Sequence, residues 1–307
     1  MPSLSRKQTA LYLAFLVLVW GINWPLTKQA LLHAPPLLFA GLRTCLGGLI
    51  LIIFALPGYK KLRLRSTWPV YLLSSLLNIM LYYGLQTIGL NYMPAGLFSS
   101  IVFLQPVLLG LFSWLWLGEA MSGLKLTGLI LGFVGVGTIS IGGLAGHISL
   151  TGVLLALGSA VSWALGTVYM KKTSDQVDII WVVALQVMIG GIVLLGTGSA
   201  VESWSAISWN LSFIFNLLFI SVFVIALGWL AYFKLVGSGE ASKVGAFTFL
   251  IPLIAITCSV LFLGESVTLN LVAGFVLILL SIVLVNFKRK PSSAEAPLSA
   301  VSRLRKT

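Results

Sequence analysis

The sequence predicts an all-α integral membrane protein in which ten transmembrane helices form two inverted five-helix repeats. Three observations support this fold class: an apolar composition, long uncharged runs and an internal repeat. Of the 307 residues, 59% are hydrophobic and 8% are charged, and the mean hydropathy is +1.06. Because soluble domains carry about 25% charged residues, this composition excludes a soluble protein.

The uncharged runs locate the helices, since a helix that crosses about 30 Å of hydrocarbon needs roughly 20 apolar residues. The run 8–27 is about twice as long as the apolar region of a signal peptide, so it predicts a retained helix. The uncharged residues 66–118 have to fold back near residues 91–94 and give two helices. In chain order, the predicted helices are 10–30, 36–56, 70–90, 95–117, 124–141, 150–170, 179–197, 214–233, 244–263 and 269–287.

The basic residues predict the orientation of the helices in the membrane. With ten spans both termini share one side, and that side collects 17 of the 19 Lys and Arg residues. Lys28 lies in an outer loop, and Arg43 lies within the second span. The positive-inside rule therefore predicts cytoplasmic termini and a location in the inner or plasma membrane of the cell. The basic residues of the predicted cytoplasmic side are Arg6, Lys7, Lys60, Lys61, Arg63, Arg65, Lys125, Lys171, Lys172, Lys234, Lys243 and six residues from Lys288 onward.

The same distribution explains the net charge of +12, so we expect membrane lipids and no nucleic acid as partners. Residues 288–307 are basic and contain few apolar side chains, which predicts a disordered cytoplasmic tail in contact with anionic lipid. The oligomeric state stays open at this point.

An internal repeat divides the chain into two halves. The segment 106–119 aligns with 252–265 at an offset of 146 residues, and six of the fourteen positions are identical. An offset of 143 residues aligns Trp20 with Trp163. Because each half holds five spans, the second half enters the membrane from the opposite face, and inverted repeats are typical of transporters. The predicted organisation is an N-terminus 1–9, a first repeat 10–145, a second, inverted repeat 146–287 and the tail 288–307.

Several segments resemble the drug/metabolite transporter superfamily, in its EamA-type ten-helix branch. They are Trp20-Gly-Ile-Asn23 in the first span, the segment 34–43 that ends in Arg43, and the Leu-Gly-Glu corners 117–119 and 263–265. The resemblance covers residues 10–287. It implies a central cavity between the halves, alternating access, and frequently the export of amino acids or related metabolites. It does not identify a substrate, because the family is broad.

Stripes of polar and aromatic residues on the helices are the candidate substrate-binding residues. Four in the first span share one helix face because they follow i, i+3, i+4, i+7 spacing, and three in the third span follow i, i+4, i+8. Aromatic faces with amide groups suit a substrate that is part apolar and part polar, although hydrogen bonding between packed helices is the alternative interpretation. The candidates are Trp20, Asn23, Trp24 and Thr27; Asn78, Tyr82 and Gln86; and the inverted counterparts Trp163, Gly166, Thr167, Trp229 and Tyr232. Gln186 is a further candidate outside these sets.

Arg43 is the only charge deep within a predicted span, and it joins these candidates. Burying a guanidinium in hydrocarbon costs several kcal/mol unless the charge is paired. No acidic residue lies in the predicted membrane interior, so backbone carbonyls or Asn23 are the predicted partners. Two roles stay open: a structural hydrogen-bonding role, and the attraction of a substrate carboxylate.

Prolines and glycine-glutamate corners recur at matching positions of the two halves. Pro106 and Pro252 lie inside related predicted helices, where each should kink its helix and favour a role in gating. Gly118 and Gly264 predict left-handed helix ends. The glutamate after each glycine should lie near the start of the next helix, where the helix dipole favours a negative charge.

The chain lacks the side-chain clusters that chemistry on a substrate or ion requires. Its two histidines, His33 and His147, lie in predicted outer loops, and Cys45 and Cys258 lie within spans. We therefore expect no enzyme activity, no cofactor and no metal site. The seven acidic residues lie at span ends, in loops or in the tail, which argues against a cationic substrate.

The predicted function is transport of a small neutral or zwitterionic metabolite that resembles an amino acid, by alternating access through a central cavity. Export is the favoured direction, and a small-molecule substrate is the expected partner. Two alternatives stay open: a flippase for a lipid-linked small molecule, and a membrane scaffold or sensor without a transport cycle.

Overall fold

The computed structural model describes residues 4–92, 98, 101–140, 149–251, 254 and 269–287, and the regular secondary structure in these ranges is helical. The α-helices are α1 (Arg6–Ala30), α2 (Pro36–Ala55), α3 (Leu64–Ser75), α4 (Tyr82–Gly89), α5 (Gln105–Leu117), α6 (Gly123–Ser140), α7 (Leu150–Lys172), α8 (Ile179–Val201), α9 (Leu211–Phe219), α10 (Trp229–Ser238), α11 (Ala241–Thr248) and α12 (Leu269–Asn286).

These helices follow the predicted spans in chain order. Among the described residues, five helical segments are long and apolar enough to cross a membrane, and three shorter apolar helices accompany them. The third span combines α3 and α4, the eighth combines α9 and α10, and the ninth begins with α11. The prediction of an all-α integral membrane protein with ten transmembrane helices in two inverted five-helix repeats is confirmed. The chain is therefore a multi-pass membrane protein.

Some helices begin earlier than hydropathy predicts, because polar residues cap them. The first helix begins at Arg6 rather than at residue 10. The Oγ of Ser5 accepts a hydrogen bond from the backbone N–H of Gln8 at 3.2 Å, and the Gln8 side chain accepts one from the Ser5 N–H at 3.0 Å. This reciprocal capping box satisfies two N–H groups that the first turn leaves unpaired.

Two π-helical turns interrupt the third and eighth spans, which correspond to each other in the repeat. They cover Leu76–Leu81 and Ile220–Gly228. Each π turn ends directly before an aromatic residue, Tyr82 in one half and Trp229 in the other. A π turn inserts extra backbone into an α-helix and changes the direction of the side chains that follow, and such turns are common at functional sites.

Glycines bring helices of the two halves into close contact. A Cβ atom added to Gly41 of α2 would lie 2.5 Å from the Cα of Leu195 in α8, and one added to Gly191 would lie 2.7 Å from the backbone N of Cys45. Small residues let transmembrane helices approach backbone to backbone. Glu202, which follows α8, links the two helices further. Its carboxylate accepts hydrogen bonds from the N–H groups of Leu37 (3.0 Å) and Leu38 (2.8 Å) at the start of α2.

Pro106 does not kink the middle of a helix, as its position in a predicted span had indicated. The chain turns at residues 103–104, and Pro106 lies in the first turn of α5. A proline is well tolerated there because its missing N–H would have no intrahelical partner. Its counterpart Pro252, and with it Gly264, Cys258 and the residues after 287, lie outside the described residues.

Candidate functional site

Five aromatic side chains from four spans meet at the centre of the described structure. The ring centroid of Trp20 in α1 lies 5.5 Å from Trp163 in α7, 5.6 Å from Trp229 and 5.2 Å from Tyr232 in α10. Tyr82 in α4 completes the group, at 5.1 Å from Trp163. We call these five residues the aromatic cluster. The structure thus brings together aromatic residues of both repeats, including Trp20 and Trp163, which the repeat aligns.

A small cavity, which we call the chamber, lies against this cluster and is lined by both halves. Its volume open to the centre of a water molecule is about 20 Å³, which is room for about one water. The chamber lies where a cavity between the halves is predicted, and in this conformation it is too small for a metabolite. It is lined by Trp20, Asn23, Trp24, Tyr82, Tyr83, Phe103, Trp163, Val224, Trp229 and Ile251.

The polar side chain of the first span that reaches the chamber is Asn23, which is 8% exposed. The hydroxyl of Thr27, one turn further along, donates to the Oδ1 of Asn23 at 3.1 Å. Thr27 itself accepts a hydrogen bond from the Nη1 of Arg43 at 3.2 Å. Trp24 also lines the chamber, and its ring lies 6.4 Å from Phe103.

Arg43 is fully buried behind the chamber and contacts different partners from those predicted. Its guanidinium lies over the rings of Tyr83 and Phe39, at 4.6 Å and 5.1 Å from their centroids. Its hydrogen bond goes to Thr27, so the predicted partners, backbone carbonyls or Asn23, were wrong, and Asn23 is the next link in the chain. The Nε and Nη2 atoms have no partner among the described residues.

The three candidate residues of the third span do not all line the chamber. Tyr82 lines the chamber, but Asn78 and Gln86 do not. Asn78 donates from Nδ2 to the Oε1 of Gln186 at 3.2 Å, and Gly166 makes room for it. The i, i+4 spacing assumes an α-helix, whereas a π turn lies directly before Tyr82 and changes the helix register. Substrate binding by Asn78 and Gln86 stays a prediction.

Thr167 supports the aromatic cluster without lining the chamber. It lies 3.2 Å from the hydroxyl of Tyr232, to which the amide of Gln105 also donates at 3.4 Å. Sequence reasoning missed Gln105, although it directly precedes Pro106. It also missed Tyr83, whose hydroxyl accepts a hydrogen bond from the Nε1 of Trp229 at 2.9 Å. The position of Tyr83 directly after Tyr82 was the sequence signal that could have identified it.

A network of ion pairs lies at the predicted cytoplasmic ends of the spans. Glu119, which follows the left-handed Gly118 (φ 68°), accepts a hydrogen bond from the N–H of Ala241 at 2.6 Å. It also pairs with Lys125 (3.4 Å) and Lys171 (3.5 Å). The left-handed end is confirmed, but Glu119 caps α11 of the other half rather than the next helix in sequence.

Glu240 extends this network at the beginning of α11. It pairs with Lys125 at 3.2 Å and also with Lys243. Burial by itself would raise the pKa of the Glu240 carboxyl, but the hydrogen bonds from Lys243 and Lys125 outweigh it and lower that pKa below its usual value. The network therefore joins the ends of α5 and α7 and the start of α6 to the start of α11.

Two inverted five-helix repeats, with a chamber between them lined by aromatic side chains and the amide of Asn23, are an architecture typical of membrane transporters. The chain belongs to the EamA-like transporter family, whose family model matches residues 8–141 and again residues 150–287. The resemblance seen in the sequence is thereby confirmed, and the protein is a transporter.

Known relatives agree with this assignment. The uncharacterized transporter YvbV of Bacillus subtilis (strain 168) is 66% identical over 296 residues, which are 96% of this chain and 97% of that protein. A probable amino-acid metabolite efflux pump of Escherichia coli (strain K12) is 28% identical over 300 residues, covering 90% of this chain and 93% of the pump. A solved crystal structure has the same fold, with a TM-score of 0.79 at 18% identity over 99% of this chain and 100% of that chain.

Proposed function

We propose that the protein exports a small metabolite that resembles an amino acid, neutral overall or zwitterionic, by alternating access through the chamber. The observation that carries the proposal is the composition of the chamber wall. Both halves contribute tryptophan rings, the first half adds Tyr82 and Tyr83, and no acidic side chain is among the described residues that line it. The name of the Escherichia coli relative, a probable amino-acid metabolite efflux pump, points in the same direction.

The chamber wall suits the two ends of an amino acid differently. Aromatic faces attract an ammonium group through cation–π interaction, and they bury an apolar side chain. The amide of Asn23 supplies a polar contact that orients the ligand, as in most small-molecule sites. A lone organic cation would find no carboxylate counter-charge in this wall, so an overall neutral ligand is favoured.

The small size of the chamber supports alternating access. Ligand pockets measure about 300–1,000 Å³, whereas this chamber measures about 20 Å³. The aromatic cluster must therefore separate before a substrate enters. The π turns next to Tyr82 and Trp229 place irregular backbone where that movement would occur.

Transport is tested by flux of radiolabelled amino acids into sealed vesicles that contain the purified protein. We expect Trp163→Leu, at the chamber wall, to abolish flux, and Trp209→Leu, whose side chain is exposed, to retain it. Movement of a labelled lipid without amino-acid flux would favour the flippase alternative. The absence of both activities would favour the scaffold or sensor.

We also propose that both termini face the cytoplasm, a placement supported by the basic residues on that side of the bundle. The test uses a background in which Cys45 and Cys258 are replaced by serine. A cysteine at Ser203 should react with an impermeant thiol reagent on intact cells. A cysteine at Lys61 should react only after the membrane is permeabilised, and the reverse pattern would contradict the orientation.

A further inference from the structure

We infer that the chamber recognises a substrate carboxylate through the Nδ2 group of Asn23, and that Arg43 fixes the orientation of this amide through Thr27. The inference rests on the proposed function and adds a chemical requirement to it. The substrate must carry a carboxylate, and Arg43 is a positioning residue rather than a direct ligand in the described conformation.

The direction of the hydrogen bonds determines which end of the Asn23 amide is free. A guanidinium only donates, so the Oγ1 of Thr27 must accept from the Nη1 of Arg43, at 3.2 Å. The Thr27 hydroxyl keeps its own proton and donates it to the Oδ1 of Asn23, at 3.1 Å. The Oδ1 atom is thereby occupied, and Nδ2, which has no partner among the described residues, is the group left for the chamber.

Electrostatics oppose the other orientation of the amide. If Asn23 were turned over, its two N–H groups would point at an oxygen that already accepts a hydrogen bond from a cation. In the orientation found, the negative end of the amide dipole is directed toward Arg43. The difference in electrostatic energy between the two amide orientations is larger in a low-dielectric interior than in water, because charges and dipoles are weakly screened there.

The positive charge of Arg43 has no acidic counterpart near it. Arg43 takes part in no ion pair with a described residue, and the acidic residues of the described part lie at the ends of helices or in loops. Its Nε and Nη2 atoms have no partner in the same part of the chain. A carboxylate bound at Asn23 would supply the missing negative charge, joined to Arg43 by a chain of three hydrogen bonds through Thr27 and Asn23.

A second donor at the chamber wall favours the same ligand group. The Nε1 atom of Trp163 is buried and has no hydrogen-bond partner among the described residues. Since indole nitrogen only donates, it can donate to an acceptor of the substrate once the aromatic cluster separates. Two N–H donors with a buried cation behind them stabilise an anionic oxygen. They stabilise the uncharged oxygen of a carboxamide less, because hydrogen bonds to charged groups are stronger.

The experiment compares ligand pairs in which a carboxamide replaces the carboxylate, a change that also turns the zwitterion into a cation. The probes are L-leucine, L-phenylalanine and L-threonine, each as the free acid and as the carboxamide, and the measurement is the dissociation constant for the purified, full-length protein. We expect the acid to bind at least roughly tenfold more tightly than its amide. Equal binding of acid and amide would overturn the inference, and with it the preference for an overall neutral ligand, but would leave transport of an amino-acid-like metabolite intact, whereas binding of neither form to the protein would contradict both proposals.

Variants of the hydrogen-bond chain test the role of Arg43 in positioning. Thr27→Val should remove most of the preference for the acid, and Thr27→Ser should retain it because serine accepts and donates in the same way. Asn23→Asp presents only acceptors and should reverse the preference, so it gives an answer even if Thr27→Val fails to fold. The matched control is Thr44→Val, since Thr44 is equally buried but bonds to the Ala40 carbonyl of its own helix. A full preference for the acid in Asn23→Asp would contradict the inference.

Discussion

The indole rings of Trp20 and Trp163 stand edge to face with their centroids 5.5 Å apart, and the internal repeat aligns these same two residues at an offset of 143. Equivalent residues of inverted repeats meet only close to the pseudo-two-fold axis that relates the halves. Their contact therefore places the chamber near the centre of the molecule, where transporters of this architecture bind their substrates.

The indole nitrogen of Trp163 gives the first prediction. Trp163→Phe keeps an aromatic ring in the cluster and removes the unpaired Nε1 donor. We expect the affinity for the best-bound amino acid to fall by roughly 5- to 150-fold, as for the loss of a hydrogen bond to a charged group. Isothermal calorimetry on the purified protein measures this, with Trp209→Phe as the control. Unchanged affinity would show that the nitrogen does not contact the ligand.

Glu119 gives the second prediction, because it joins three helix ends through buried contacts. Glu119→Gln removes the charge that faces Lys125 and Lys171, and we expect a loss of about 3 kcal/mol in the free energy of unfolding. Unfolding in detergent measures this loss. Glu240→Gln is the matched control, since that side chain is 43% exposed and should cost much less. Equal losses in the two variants would contradict the special role of Glu119.

The third prediction concerns the pH dependence that Glu240 contributes. Its pKa is lower in the folded protein than its usual value of 4.5, so its stabilising contribution is complete above that pH. The contribution disappears as the pH falls through the lowered pKa. We expect the difference in melting temperature between the wild-type protein and Glu240→Gln to be constant from pH 7 to about 5 and to shrink at lower pH. Asp175→Asn, at an exposed position, serves as the control. A melting-temperature difference between wild type and Glu240→Gln that grows as the pH falls would contradict the prediction.

Gly166 gives the fourth prediction. A Cβ atom at this position would lie 2.2 Å from the Oδ1 of Asn78, so Gly166→Ala forces Asn78 away from Gln186. We expect a loss of about 1–3 kcal/mol in stability. Gly196→Ala is the matched control, because nothing lies within 4 Å of the added atom, and alanine should be neutral or stabilising by up to about 1 kcal/mol. Thermal unfolding measures the stability of both variants. Equal stabilities of Gly166→Ala and Gly196→Ala would contradict the prediction.

The architecture could be predicted from local properties of the chain. Burying backbone in hydrocarbon requires helices of a fixed minimum length, so the uncharged runs mark the spans. The π turns before Tyr82 and Trp229 could not be predicted in this way, because apolar composition is the same in α and π geometry. Asn78 was grouped with Tyr82 by α-helical spacing, and in this conformation Tyr82 lines the chamber whereas Asn78 contacts Gln186.

The number of spans, the correspondence of the two halves and the alignment of Trp20 with Trp163 could be predicted from the sequence. Those properties depend on hydropathy and on spacing along the chain. The link from Arg43 to Thr27, the cap that Glu119 places on α11, and the contact of Asn78 with Gln186 were decided by the packed structure. Each of these contacts joins side chains on different helices, so it depends on how the helices rotate and approach one another, and hydropathy does not encode that rotation.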